Sequence, residues 1–244
     1  MDTHLRGRMA AAVGVVVAIV LATVAGWAGA GPVQAGSPRP VLVVNGFNAV
    51  DADIAGLKSY LQGQGFTVYT MNQSGSPPGS APITTTATAV DAKIASIRSA
   101  TGAPLVDIVG YSQGGLAGRH DVKFLGGLSE VGVFVSLGTP NYGDSSAQLC
   151  ALFWRGCADM VPGSAFLNQL NSGDPTPGAI PYTHLYSSSE GGETTPLPGA
   201  TNVAVQTLCP GRTVAHADEP DDHALQQMIQ AALEQRAITT TCPA

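Results

Sequence analysis

The chain has 244 residues, 11 basic against 17 acidic side chains, a net charge of −6 and 44% hydrophobic residues. No basic cluster is present that could neutralise a phosphate backbone, which argues against nucleic acid as a partner. Apolar runs persist along the chain and argue against disorder, and the length suits one α/β core.

The N-terminus reads His4-Leu5-Arg6-Gly7-Arg8, then an uncharged stretch from Met9 to Ala30, then small residues at Ala28-Gly29-Ala30 and Val33-Gln34-Ala35. This is the layout of a secretory leader. Residues 1–35 are expected to be a signal peptide cleaved after Ala30 or Ala35, with 36–244 a single domain outside the cell. A membrane anchor is the alternative, since about twenty uncharged residues could span a bilayer, but the Gly and Ala content and the cleavage sites favour removal. Four cysteines remain, Cys150, Cys157, Cys209 and Cys242, with no C-x-x-C spacing. An even number in a secreted chain points to two disulfides and no metal site. Three pairings are possible; proximity puts Cys150 with Cys157, and Cys209 with Cys242 would tie the tail to the core.

Pro40-Val41-Leu42-Val43-Val44 is a continuous apolar run, as expected of a strand buried on both faces of a parallel sheet. A helix is predicted over 52–62, a strand over 66–69, and an amphipathic helix over 87–100 with Val90, Ile94 and Ile97 on one face. The run Leu105-Val106-Asp107-Ile108-Val109 predicts another strand, and Gly110-Tyr111-Ser112-Gln113-Gly114 follows it directly. G-x-S-x-G after a strand and before a helix presents a serine on a sharp turn, with glycines leaving room for close approach. Standing alone the pattern would be a glycine-rich turn more often than a site. A helix after it, strands over 131–137, 182–186 and 203–208, and a last helix from Ala224 to Leu233 complete the alternation. It implies a mostly parallel, doubly wound sheet with helices on both faces and ligands beyond the carboxyl ends of its strands. The stretches 141–162 and 187–201 read as long loops, and Phe153-Trp154 in the first reads as core beneath a disulfide-closed loop ahead of a substrate-facing flap.

A serine hydroxyl needs a base. His4 leaves with the leader, His120 lies two turns down the helix after Ser112, His184 sits inside a strand, and His223 opens the final helix. His216, between the last strand and the last helix, emerges at the same sheet end as Ser112 and is the expected base. The third member should be a carboxylate at the end of the strand before it: Glu190 is favoured and Glu193 held in reserve, with Asp159 and Asp174 weaker because they precede that strand. Oxyanion donors are expected from the backbone N–H groups of Gln113, after the serine, and Phe47, after the first strand.

In Val43-Val44-Asn45-Gly46-Phe47, Val106–Gly115, Tyr182–Ser187, Asn202–Gln206 and Val214-Ala215-His216-Ala217 the chain resembles the α/β-hydrolase lipases, more narrowly the secreted bacterial lipase class 2 group, and around the acid and histidine the fungal lipase B type. The resemblance covers most of 36–244. It implies an α/β-hydrolase fold, a Ser112–Glu190–His216 triad, oxyanion N–H groups at Phe47 and Gln113, and a Cys209–Cys242 bridge. Asn45-Gly46 departs from the group's usual His-Gly, Glu190 stands for the usual Asp and is followed by Gly191-Gly192-Glu193, and the stretch from acid to histidine is short. The expected activity is hydrolysis of a lipid or other carboxylic ester through an acyl-enzyme, by a monomer that contacts lipid interfaces transiently and needs no cofactor. An acyltransferase on the same triad and a non-catalytic lipid-binding surface protein are the alternatives.

Overall fold

β-Branched and other apolar residues build the sheet. In the computed structural model, which describes residues 38–189 and 194–243, the strands are β1 (Val41–Val44), β2 (Val68–Met71), β3 (Val106–Tyr111), β4 (Val131–Leu137), β5 (Tyr182–Tyr186) and β6 (Thr201–Ala204). They form one parallel sheet in the order β2-β1-β3-β4-β5-β6. The expected leader, Glu190 and Glu193 lie outside the described residues.

Strand alternation divides the core into two layers. Val41 and Val43 of β1 join Leu57 and Leu61 of α1 (Ala55–Gly63) and Leu225, Met228 and Ile229 of α8 (His223–Leu233) on one face. Leu42 and Val44 face the other way, against Val90, Ile94 and Ile97 of α2 (Ile83–Thr101) and Leu116 of α3 (Gln113–Phe124). Such two-sided burial is why β1 reads as an unbroken apolar run and why β3 is interrupted only by Asp107, which is buried and paired with Arg39. From β1 the chain crosses outward to β2, and from β3 onward it builds in the opposite direction. The switch therefore lies between β1 and β3, where a doubly wound sheet opens a crevice at its carboxyl edge.

Several elements differ from their sequence reading. The stretch 141–162 is not a plain loop: it carries α4 (Gln148–Ala151) and α5 (Arg155–Met160), and α6 (Ala165–Asn171) follows. The run 203–208 divides, its strand ending at Ala204 and Val205–Leu208 forming a helical turn, α7. α2 starts at Ile83, four residues early, because Asp159 Oδ2 accepts the Ile83 N–H at 3.0 Å and fixes the first turn. β2 lies two residues later than expected. Phe153 is not core but 76% exposed; Trp154 alone turns inward, its ring 5.7 Å from that of Phe47. Disulfides join Cys150 to Cys157 and Cys209 to Cys242. Among the described residues no helix is long and apolar enough to cross a membrane.

Candidate active site

Ser112 stands between β3 and α3 with φ 53° and ψ −124°, a conformation costly for a residue with a Cβ. Its surroundings hold it there. The Ser112 N–H donates to Leu137 O at 2.8 Å, and the Gly115 N–H donates to Ser112 O at 3.1 Å. The flanking glycines are needed for contact: a Cβ on Gly110 would lie 2.4 Å from Gly115 Cα, and one on Gly114 2.2 Å from Val44 O. The turn therefore closes only with hydrogen at both positions.

The loop after β5 and β6 brings His216 over this serine. His216 Nε2 lies 3.0 Å from Ser112 Oγ. The Tyr111 hydroxyl donates to His216 O at 2.8 Å, and the two rings pack at 5.2 Å, so the residue preceding the serine anchors the histidine's backbone and one ring face. With Nδ1 protonated, Nε2 is the acceptor that a seryl hydroxyl requires.

Glu219 is the functional candidate that sequence reasoning missed. Its carboxylate is fully buried, with Oε2 3.1 Å from His216 Nδ1 and Oε1 accepting the Ser187 N–H at 2.8 Å. A short 3-10 turn, His216–Asp218, puts residues three apart on one side. That i,i+3 spacing of His and Glu was the available signal.

Phe47 and Gln113 flank the serine. Gly46 approaches Ser112 so closely that a Cβ there would lie 3.0 Å from Ser112 Cβ, and a Cβ on Gly79 would meet both Gln113 Oε1 at 2.5 Å and Phe47 Cδ2 at 2.8 Å. The segment carrying Gly79 thus backs both oxyanion candidates. A pocket of about 680 Å³ opens here, lined by Phe47, Ser112, Pro140, Ala147, Met160 and His216 among others.

The remaining candidates sit elsewhere. His120 stacks on Phe166 at 5.8 Å, and burial pushes its pKa below the ordinary imidazole value. His184 Nδ1 is 3.0 Å from Ser136 Oγ within the sheet, and His223 Nδ1 is 3.1 Å from Gln226 Oε1. Asp159 is engaged by Ile83 and Arg155, and Asp174 by Thr176. Among the described residues no cluster of His, Cys, Asp and Glu could hold a metal ion.

A family model described as the alpha/beta hydrolase fold matches residues 39–120, from β1 to the helix after Ser112. Among solved structures, Aspergillus fumigatus lipase B is 18% identical with a TM-score of 0.68, over 84% of this chain and 54% of that one. A Bacillus licheniformis lipase in propeptide form is 15% identical with a TM-score of 0.67, over 86% and 53%. A lipase-esterase related protein of Clostridium acetobutylicum is 12% identical with a TM-score of 0.57, over 81% and 95%. The chain thus spans about half the length of the first two. A parallel six-stranded sheet, a serine at the turn between β3 and α3 and the match over 39–120 make this chain an α/β hydrolase in fold, in the form that these lipases and esterases share.

Proposed function

We propose that the protein is a secreted serine hydrolase of carboxylic esters, of lipase or esterase type, with Ser112 as nucleophile and His216 as base. The observation that carries this reading is the 3.0 Å approach of His216 Nε2 to the oxygen of a strained Ser112 that lines the pocket. Ser112 Oγ gives its proton to His216 Nε2 as it attacks the ester carbonyl carbon. The oxygen that gains charge faces the N–H groups of Phe47 and Gln113. Collapse breaks the bond to the alcohol, which leaves with the proton from His216, and a water then repeats the sequence on the acyl-enzyme. Two chain segments compete for the carboxylate role: Glu190 or Glu193 after β5, and Glu219 after His216.

A lipid-like ester is the favoured substrate class. Leu149, Leu152 and Phe153 are 83%, 89% and 76% exposed on the segment whose Ala147 and Cys150 line the pocket. A chain of rings from Phe153 through Trp154 to Phe47 links that apolar rim to the site. Exposed apolar groups on a segment that contributes residues to a pocket suit a lipid interface better than bulk water. Two disulfides and the leader-like residues 1–35 support an extracellular setting.

A fluorophosphonate probe tests the chemistry. It should label the full chain on Ser112, and Ser112→Ala and His216→Ala should each lose about 10³-fold or more of p-nitrophenyl ester hydrolysis while remaining folded by circular dichroism. A folded Ser112→Ala variant that still turns over the ester overturns the reading.

A further inference from the structure

We infer that Glu219 is the carboxylate that orients His216 and stabilises its protonated form, so that this chain carries its acid after the histidine and on the same turn. The inference rests on the Ser112–His216 reading and adds a positioning residue to it.

Three observations converge on Glu219. Its side chain is 0% exposed, whereas that of His216 is 34% exposed. A carboxylate buried to that degree is costly unless each oxygen has a donor, and here both do: Oε2 has His216 Nδ1 at 3.1 Å and Oε1 has the Ser187 N–H at 2.8 Å. The first contact fixes the imidazole tautomer, since an acceptor on Nδ1 keeps the proton there and leaves Nε2 to receive the seryl proton.

The second observation is location. Ser187 is the residue after β5, and Gly138 is the residue after β4, its N–H donating to Leu185 O at 2.9 Å. A Cβ on Gly138 would stand 1.8 Å from Glu219 Oε2 and 2.9 Å from His216 Cε1. The carboxylate therefore lies at the carboxyl ends of β4 and β5, where chain order leads one to expect a triad acid, although the residue that supplies it comes 32 positions after Ser187.

The third is the bare position at 138. Gly138 has φ +54°, and hydrogen in place of a side chain leaves the space that the carboxylate and imidazole share. Asp53, Asp144 and Tyr111 also line the pocket, but the Tyr111 hydroxyl is engaged by the His216 carbonyl. Glu219 is the described carboxylate in hydrogen-bond contact with the His216 ring.

The test compares Glu219→Gln, Glu219→Asp and Glu190→Gln in the full chain with p-nitrophenyl butyrate. Glu219→Gln should lower kcat about 10³- to 10⁴-fold with KM within about threefold. Its residual kcat/KM should also lose its acidic limb at lower pH than the parent, because removing the carboxylate lowers the imidazole pKa; a merely structural role would reduce active enzyme without moving that limb. Glu219→Asp should recover part of the loss. The far-downfield Nδ1 proton resonance of His216 should persist in Glu190→Gln, which decides the matter even where Glu219→Gln does not fold. A folded Glu219→Gln variant within tenfold of the parent kcat overturns the inference, as does an equal or greater loss in Glu190→Gln, or disappearance of the resonance in that variant. Fluorophosphonate labelling of the parent separates the two layers: no label on Ser112 removes the hydrolase reading itself, whereas label with an indifferent Glu219 removes this inference alone.

Discussion

Asp121 is a side chain whose environment opposes its charge. It is fully buried in α3, neither carboxylate oxygen has a hydrogen-bond partner among the described residues, and burial followed by the nearby Asp91 and Glu130 raises its pKa to about 7. Because the folded pKa is raised, both states hold the proton below about pH 4; as pH climbs toward 7 the unfolded state ionises first and folding loses stability, with the full penalty above that. Asp121→Asn should therefore be indistinguishable from the parent in urea unfolding at pH 4 and more stable at pH 8, each tenfold weakening of the folded acid being worth about 1.4 kcal/mol. Equal stabilities at both pH values would contradict this. That Ser112 and His216 meet was legible because a five-residue turn motif and the topology of the carboxyl edge each single out one residue. Glu219 was not. Its contact with His216 depends on a 3-10 turn that folds residue 219 back beneath residue 216, and on an empty position at Gly138, remote in the chain.

Among the elements, those with a full hydrophobic period were readable. β1, β4, β5 and α8 announce themselves because burial on two faces or along one stripe repeats often enough to register. α4 and α5, of four and six residues, contain less than two turns, so no periodicity marks them, and tertiary packing decides their conformation. The same short helices are held by the Cys150–Cys157 bond, which spans 7 positions, while Cys209–Cys242 spans 33 and secures the tail beneath α7. Loop-closure entropy makes the longer bridge the more stabilising, about 4 kcal/mol against about 2.5 kcal/mol. Thermal unfolding of Cys209→Ser/Cys242→Ser should show the larger fall in Tm, and Cys150→Ser/Cys157→Ser the smaller. A reversed order would mean that the 150–157 segment carries more of the fold than its length implies. Arg119 of α3 adds a polar tie to the same region: buried, it donates to Asn141 Oδ1, Asn171 Oδ1 and Pro175 O.

For the whole molecule, charge and apolar surface act in different places. Without residues 1–35 the chain keeps 9 basic and 16 acidic side chains, a balance that repels anionic surfaces. Its exposed apolar rim, in contrast, gains by leaving water. Replacing Leu149, Leu152 and Phe153 together by Ser should lower hydrolysis of an emulsified long-chain ester about tenfold or more and leave hydrolysis of soluble p-nitrophenyl acetate within about twofold. Parallel losses on both substrates would place the rim's role inside the pocket. The alternation of strand and helix was enough to expect a doubly wound parallel sheet. Strand order was not expected in detail, because it depends on which edge each crossover chooses.

On the proposed assignment base and acid share one four-residue turn, which bears on how this scaffold can change. When the two groups sit on separate loops, any insertion in either disturbs their alignment, and both loops are frozen together. Here the pair travels as one rigid cassette, His216-Ala217-Asp218-Glu219, anchored by the Tyr111 hydroxyl and the Ser187 N–H. The connection between β5 and β6 is thereby released from registering an acid against the histidine. Past Ser187, whose N–H holds Glu219 Oε1, it is free to drift in length and composition, and a binding loop could be grafted there.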